Sequence, residues 1–190
     1  MNPSEPAASF PRIACIFATM NRAETAKSCV MALARQSLPP EWVMVADNCS
    51  TDQTVAILRA LEGLPFSLIV HPMPENLGNA GGVEAVMERA FDEGADAVWI
   101  LDDDSWPRQE ALASLLEGAW DPLVVRHSLQ IDPQTGRFAW PLQIADGQGG
   151  WHLAWSKEEL PDGPRVRSRI SWTGALVSRK VRAAVLVQTL

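Results

Sequence analysis

The sequence predicts an α/β fold, a doubly wound and mainly parallel sheet with helices on both faces, from two observations. Short apolar runs alternate with amphipathic segments as far as Leu101, and the apolar runs end in polar clusters. Strands alternating with helices at this rhythm pair in parallel, because each helix carries the chain back to begin the next strand at the same end. Ligands in such sheets bind beyond the carboxyl ends of the strands. That rule places Thr19–Arg22, Asp47–Asp52, Asn76–Gly82 and Asp102–Asp104 along one edge.

Ile13–Ala18 reads as a buried strand, and Asn21 with Glu24 three residues on forms an N-cap and capping-box signature. The helix that starts there has Ala26, Cys29, Val30 and Leu33 on one face and stops at Pro39-Pro40. Trp42–Ala46 is the second strand. Ser50 and Thr51 are expected to cap a helix with Thr54, Ile57, Leu58 and Leu61 aligned, ended by Gly63 and Pro65. Phe66–Val70 is the third strand. The segment Glu75–Gly82 leads into a helix bearing Val83, Val86, Met87 and Ala90, closed by Gly94, and Ala97–Leu101 is the fourth strand.

Beyond a helix opened by Pro107, with Leu112, Leu115 and Leu116 on one face, the rhythm changes. Val124–Ile131 and Arg137–Ile144 read as a hairpin around the turn Asp132-Pro133-Gln134-Thr135-Gly136. Asp146–Gly150 reads as a flexible loop carrying on into Trp151, His152 and Trp155, and Arg165–Ile170 as a further strand leading into Trp172-Thr173-Gly174-Ala175. Residues 1–11 are expected to be a flexible leader and 12–190 a single domain.

A chain of 190 residues that is 47% hydrophobic holds one ordinary core and not two. Its net charge of −7 leaves no basic stripe for a nucleic acid. Cys15, Cys29 and Cys49 have no CxxC spacing and are expected to be reduced. No apolar stretch approaches the ~18 residues of a spanning helix. The eight Trp residues face no Tyr at all; Trp42 and Trp99 fall in the expected core, while Trp151, Trp155 and Trp172 fall in the irregular second half.

Asp102-Asp103-Asp104 is the chemical centre of the chain. Asp104 or Ser105 could cap the helix opened by Pro107, but a cap explains one carboxylate and not three. A divalent cation with oxygen ligands relieves their repulsion and brings a diphosphate with it. Gly78, Gly81 and Gly82 do not spell GxGxxG, so they indicate either close helix packing or close approach of a nucleotide or sugar to the backbone. Asp47 is either the start of a cap or an acceptor for the N3–H of a pyrimidine base, and Arg22 either a surface charge or a phosphate clamp. His71 and His127 lie within strands as structural residues, and His152 in a loop.

Taken together, IACIFATMNR, QSLPPEWVMVADNCSTDQT, ENLGNAGG and WILDDDS, in this order and spacing, resemble the inverting family 2 glycosyltransferases. ENLGNAGG with LDDDS is most similar to the branch that transfers galactofuranose or rhamnose, and SWTGALVSRKV looks like the segment preceding that branch's base. The resemblance implies a GT-A fold, a Rossmann-related sheet with a C-terminal hairpin and loop region, divided into a nucleotide-sugar-binding half (12–118) and an incomplete acceptor-side half (119–190). It implies that Thr19, Asn21, Arg22 and Asp47 line the base and ribose pocket and that Asn76, Gly81 and Gly82 lie near the donor. Asp102 and Asp104 would hold Mn²⁺ or Mg²⁺, and Asp103 would contact the ribose. By their own chemistry Trp151 and Trp172 are either packing residues or surfaces on which an acceptor sugar stacks. The implied donor is a UDP- or dTDP-sugar, and the implied acceptor a glycan or lipid-linked glycan. With neither a signal peptide nor a spanning helix legible in the sequence, the protein itself is expected in the cytoplasm, at the inner face of the cell membrane. Peripheral membrane contact and a homo-oligomer are part of the same expectation.

The base of an inverting transfer is expected beyond Leu190, past the WTGA-like segment, so the chain reads as cut short, with donor binding outlasting transfer and apolar surface left uncovered. Asp146, Glu158, Glu159 and Asp162 precede that segment, and none is assigned as base. A non-catalytic nucleotide-sugar-binding remnant and a nucleotidyltransferase are the alternatives. The second lacks the usual basic Gly-rich loop after strand one.

Overall fold

A computed structural model describes residues 10–145, 148–160, 168–169 and 172–187. Its main sheet has six strands in the order β3-β2-β1-β4-β9-β5. β1 (Ile13–Thr19), β2 (Trp42–Asp47), β3 (Ser67–Pro72) and β4 (Ala97–Ile100) run parallel, joined through α1 (Ala23–Leu33), α2 (Thr54–Arg59) and α3 (Gly78–Asp92). After the short α4 (Ala111–Leu115), β5 (Arg126–His127) and β9 (Ala175–Ser178) extend the sheet, with β9 antiparallel to both β4 and β5. A second sheet, β7-β6-β8, is built from β6 (Leu142–Ala145), β7 (Trp151–Ala154) and β8 (Ser168–Arg169). The last described element is α5 (Arg179–Val187).

Successive residues of a strand point to opposite faces, and the apolar runs divide accordingly. Cys15, Phe17, Val43, Val45 and Trp99 join Cys29, Val30, Leu33 and Leu58 in one buried cluster. Ala14, Ile16, Met44, Ala46, Val98 and Ile100 join Val83, Val86, Ala90 and Phe91 in another. These uninterrupted apolar strands are what a sheet covered on both faces requires. Parallel pairing keeps the carboxyl ends level: Thr19 lies beside Asp47, and Leu101 N donates to Ile16 O at 3.0 Å.

Several local expectations are corrected. Asn21 is not the cap of α1, which starts after Arg22 without a side-chain cap, nor do Ser50 and Thr51 cap α2, whose N-cap is Gln53. The helix after the acid triplet begins at Ala111, four positions past Pro107, so neither Asp104 nor Ser105 caps it; Ser105 Oγ accepts instead from Asp102 N at 3.2 Å. The 124–144 hairpin shrinks to one bridge, Ile131 with Phe138, because Arg126 and His127 pair with β9 and residues 142–145 pair with β7 and β8. The Asp132–Gly136 turn itself forms, with Gly136 N donating to Asp132 O. His152 lies in β7 and not in a loop. Residues 1–9, 146–147, 161–167, 170–171 and 188–190 are outside the described residues, and with them most of the leader, part of the Asp146–Gly150 loop, most of the 165–170 strand, and Asp146 and Asp162.

Gly82 has a packing reason for its missing side chain: a Cβ there would meet Ala18 Cβ and Asn48 Nδ2 at 3.0 Å and Ala46 Cβ at 3.3 Å. Gly82→Val therefore pushes α3 off the sheet. It is expected to cost about 1–3 kcal/mol in urea denaturation without any nucleotide present.

Candidate functional site

The four polar clusters do meet. A cleft of about 500 Å³ opens at the carboxyl edge of the parallel strands, walled by Thr19 at the end of β1 with Met20 and Arg22 after it, Asn48 after β2, Asn76, Gly78 and Asn79 around the start of α3, and Asp102, Asp103 and Asp104 after β4. Of the expected donor-site residues, Asn21, Asp47, Gly81 and Gly82 lie outside that wall. Trp151 and Trp172 are exposed, the first on β7 and the second just before β9, and neither lines the cleft.

The acid triplet is held by protein donors on every member. Asp103 is 6% exposed and accepts from Thr19 Oγ1 at 2.7 Å and from Arg22 Nη1 at 2.6 Å. Asp102 accepts from Asn79 Nδ2 at 3.2 Å and from Thr173 Oγ1 at 2.8 Å. Asp104 is half exposed, with a longer contact to Arg22 Nη1 at 3.3 Å. The hydrogen bond that Arg22 donates to Asp103, followed by the Asp103 charge, raises the Arg22 guanidinium above its ordinary pKa. Arg22 is thus neither a bare surface charge nor already spent, since half of its side chain is open to the cleft. Beneath the triplet, Cys29 Sγ donates to Asp102 O at 3.7 Å, and burial, then the charges of Asp103, Asp104 and Asp102, pushes its thiol pKa up. Cys29 therefore stays protonated.

Asn21 works across the loop, not along its own helix. At φ 54°, a left-handed conformation that Asn tolerates, its Oδ1 accepts from Thr51 N at 2.7 Å and Asp52 N at 3.3 Å, while its own N donates to Ser50 Oγ at 2.8 Å. Asp47 is 2% exposed; one carboxylate oxygen accepts from Ser50 N at 3.1 Å and the other, Oδ1, is buried without a partner. A buried acceptor left unmatched is costly, and this one belongs to the last residue of β2, whose other carboxylate oxygen is held by the loop that Asn21 braces. Asn48 Oδ1 is in the same condition, its Nδ2 being given to Gly78 O at 3.0 Å.

The donor set fits a hard divalent cation in one particular way. Among the described residues no three His, Cys, Asp or Glu side chains converge into an all-protein cage. Mn²⁺ and Mg²⁺ do not require one when a phosphate is present, because one or two carboxylates suffice and phosphate oxygens and waters complete the shell. Asp102 and Asp104 are two such carboxylates on one cleft wall. Sequence reasoning gave no role to Asn48, Asn79 or Thr173. All three lie inside blocks that carry the family resemblance, and that is the available signal.

The model for glycosyl transferase family 2 matches residues 14–185. The chain belongs to glycosyl transferase family 2. Family 2 relatives include the galactofuranosyltransferase GlfT1 of Mycolicibacterium smegmatis, 29% identical over 136 residues that are 69% of this chain and 43% of the relative. GlfT1 of Mycobacterium tuberculosis is 35% identical over 124 residues, 63% of this chain and 40% of its own length. The chain thus spans about two fifths of the length of these curated relatives. Among solved structures, the mannosyltransferase PcManGT from Pyrobaculum calidifontis, in complex with GDP-Man and Mn²⁺, is similar with a TM-score of 0.58 and 26% identity, over 67% of this chain and 38% of that one. The expected α/β sheet of GT-A type is the fold of this family 2 chain, and no helix among its described residues is long and apolar enough to cross a membrane.

Two outcomes follow from the loop geometry. Asn21→Ala loses the acceptor for Thr51 and Asp52 and strains a left-handed residue, so it should cost about 1–3 kcal/mol by thermal or urea unfolding, with Asn21→Gly milder because the strain is gone. Asp52 has its carboxyl pKa held below the ordinary 3.8 by hydrogen bonds from the Thr54 hydroxyl and backbone N–H. A depressed carboxyl stabilises the fold above its unfolded pKa and loses that contribution as pH falls through the folded one. Asp52→Asn is therefore expected to flatten the stability loss below pH 3.8, read by circular dichroism across an acid titration.

Proposed function

We propose that the chain carries the donor-binding portion of an inverting, metal-dependent glycosyltransferase that uses a UDP- or dTDP-sugar and serves a glycan or lipid-linked acceptor. The carrying observation is the coincidence, at one sheet edge, of a carboxylate-walled cleft with the unmatched buried acceptor Asp47 Oδ1. A diphosphate needs cations, and a uracil or thymine ring offers an N3–H donor.

In this reading Asp47 accepts the ring N3–H, with Asn21 holding the loop that shapes the pocket. Thr19, Asn76 and the backbone around Gly81 and Gly82 border the donor, and Asp103 orients Thr19 and Arg22 while standing close to the ribose. Arg22 reaches a phosphate oxygen with the half of its side chain that faces the cleft. Asp102 and Asp104 would hold Mn²⁺ or Mg²⁺. When bound, the cation neutralises charge gathering on the departing nucleoside diphosphate. The acceptor hydroxyl oxygen bonds to the anomeric carbon as the bond from that carbon to the diphosphate oxygen breaks, and the hydroxyl proton passes to a carboxylate base. No residue of this chain is assigned as that base. Trp151 and Trp172 are proposed acceptor contacts, since exposed indoles stack on sugar rings.

Titration calorimetry with UDP, dTDP and GDP, with and without MnCl₂, tests this. Manganese-dependent binding of UDP or dTDP is expected, weakened in Asp104→Ala by about 2 kcal/mol or more. Binding indifferent to manganese, or a preference for GDP, overturns it.

A further inference from the structure

Asp102 differs from Asp104 in being fixed on both oxygens. Its two neutral donors come from opposite parts of the chain: Asn79 in the first turn of α3 reaches Oδ1, and Thr173, just ahead of β9, reaches Oδ2. Two donors on one carboxylate set its plane as well as its position, and each oxygen keeps a lone pair for a further partner. Asp104, half exposed and 3.3 Å from Arg22, has no such restraint.

Thr173 is itself built in. It is 4% exposed. The next residue, Gly174, has φ 96°, and a Cβ there would lie 2.6 Å from Ser128 O. Gly174 N donates to Ile100 O at 2.6 Å, and Gly174 O accepts from Ser128 N at 2.9 Å and Ser128 Oγ at 3.1 Å. Ser128 Oγ also accepts from the buried Trp99 Nε1 at 3.4 Å. The backbone is locked on either side of β4's end, so the Thr173 hydroxyl reaches Asp102 from a fixed direction.

We propose that Thr173 is a positioning residue whose hydroxyl holds Asp102 in the orientation that ligates the divalent cation. The inference rests on the reading of Asp102 and Asp104 as cation ligands. Partners one shell out from a metal typically contribute tenfold or more to metal affinity because they spare the ligand the cost of ordering on binding. Asp102 is the preset half of the pair and Asp104 the half that adapts.

The test measures Mn²⁺ binding to the 190-residue chain in the presence of UDP, by the electron paramagnetic resonance signal of free Mn²⁺, together with UDP binding in EDTA and the thermal midpoint. Thr173→Val keeps the shape and removes the hydroxyl. It should weaken Mn²⁺ by about tenfold while leaving metal-free UDP binding unchanged, and Thr173→Ser should restore the affinity. If the Val variant does not fold, Thr173→Ala carries the same comparison. Unchanged Mn²⁺ affinity in the hydroxyl-free variant, or a Ser variant as weak as Val, overturns the role of Thr173 alone. Absence of Mn²⁺ binding by the unaltered chain with UDP overturns the cation reading of the triplet and this inference with it.

Discussion

Three consecutive carboxylates can stand at one strand end only if something answers their charge, and the ion pair between Arg22 and Asp103 is that answer within the protein. Asp103 is nearly buried while Arg22 is half open, so the pair is a tether from the acid triplet to the loop after β1 and not an ornament of the surface. Removing the arginine would leave a carboxylate stranded in a poorly solvated place, which is the expensive way to break such a pair. The pair exists because β1 and β4 are neighbours in the sheet, with Ile16 opposite Ile100; residues more than eighty positions apart in the chain meet through strand order. Thr19 adds a second tie to the same carboxylate. The cleft wall on this side is therefore set before any ligand arrives.

How much of this the sequence disclosed depends on how local the cause is. The four parallel strands came from their own apolar composition, and their convergence came from a topological rule that needs no knowledge of side-chain contacts. The caps were misread for the opposite reason. Asn21 sits where a helix cap belongs, and local pattern assigns it to the helix that follows, yet its side-chain oxygen Oδ1 is taken by the loop thirty residues on. Competing partners at equal chemistry are decided by tertiary placement, which a single sequence does not contain. The 124–144 hairpin failed similarly: its turn residues were right and its turn forms, but the flanking residues find better partners in β9, β7 and β8.

The glycines show the same division. Gly82 reads from sequence as either packing or ligand approach, and the near contact of its absent Cβ with Ala18, Ala46 and Asn48 supplies a packing cause. Asn48 then joins two demands, sealing α3 against the sheet through Gly78 O while bordering the cleft. A residue that serves both leaves no periodic trace in sequence.

The involvement of Thr173 follows from strand direction. Parallel strands all finish at the cleft edge, so an antiparallel neighbour must begin there. β9 is antiparallel to β4, and the chain has to enter it at the rim where Asp102 stands, so the residues leading into it are delivered to the site by topology alone. The same strand covers the flank of β4 that would otherwise be a sheet edge, burying Trp99 completely and closing backbone groups that an open edge would expose. One antiparallel strand thus completes the hydrogen bonding of the strand that carries the acids and supplies the segment that aligns the first of them. A fifth parallel strand would have done the former only, with its entry at the far end of the sheet.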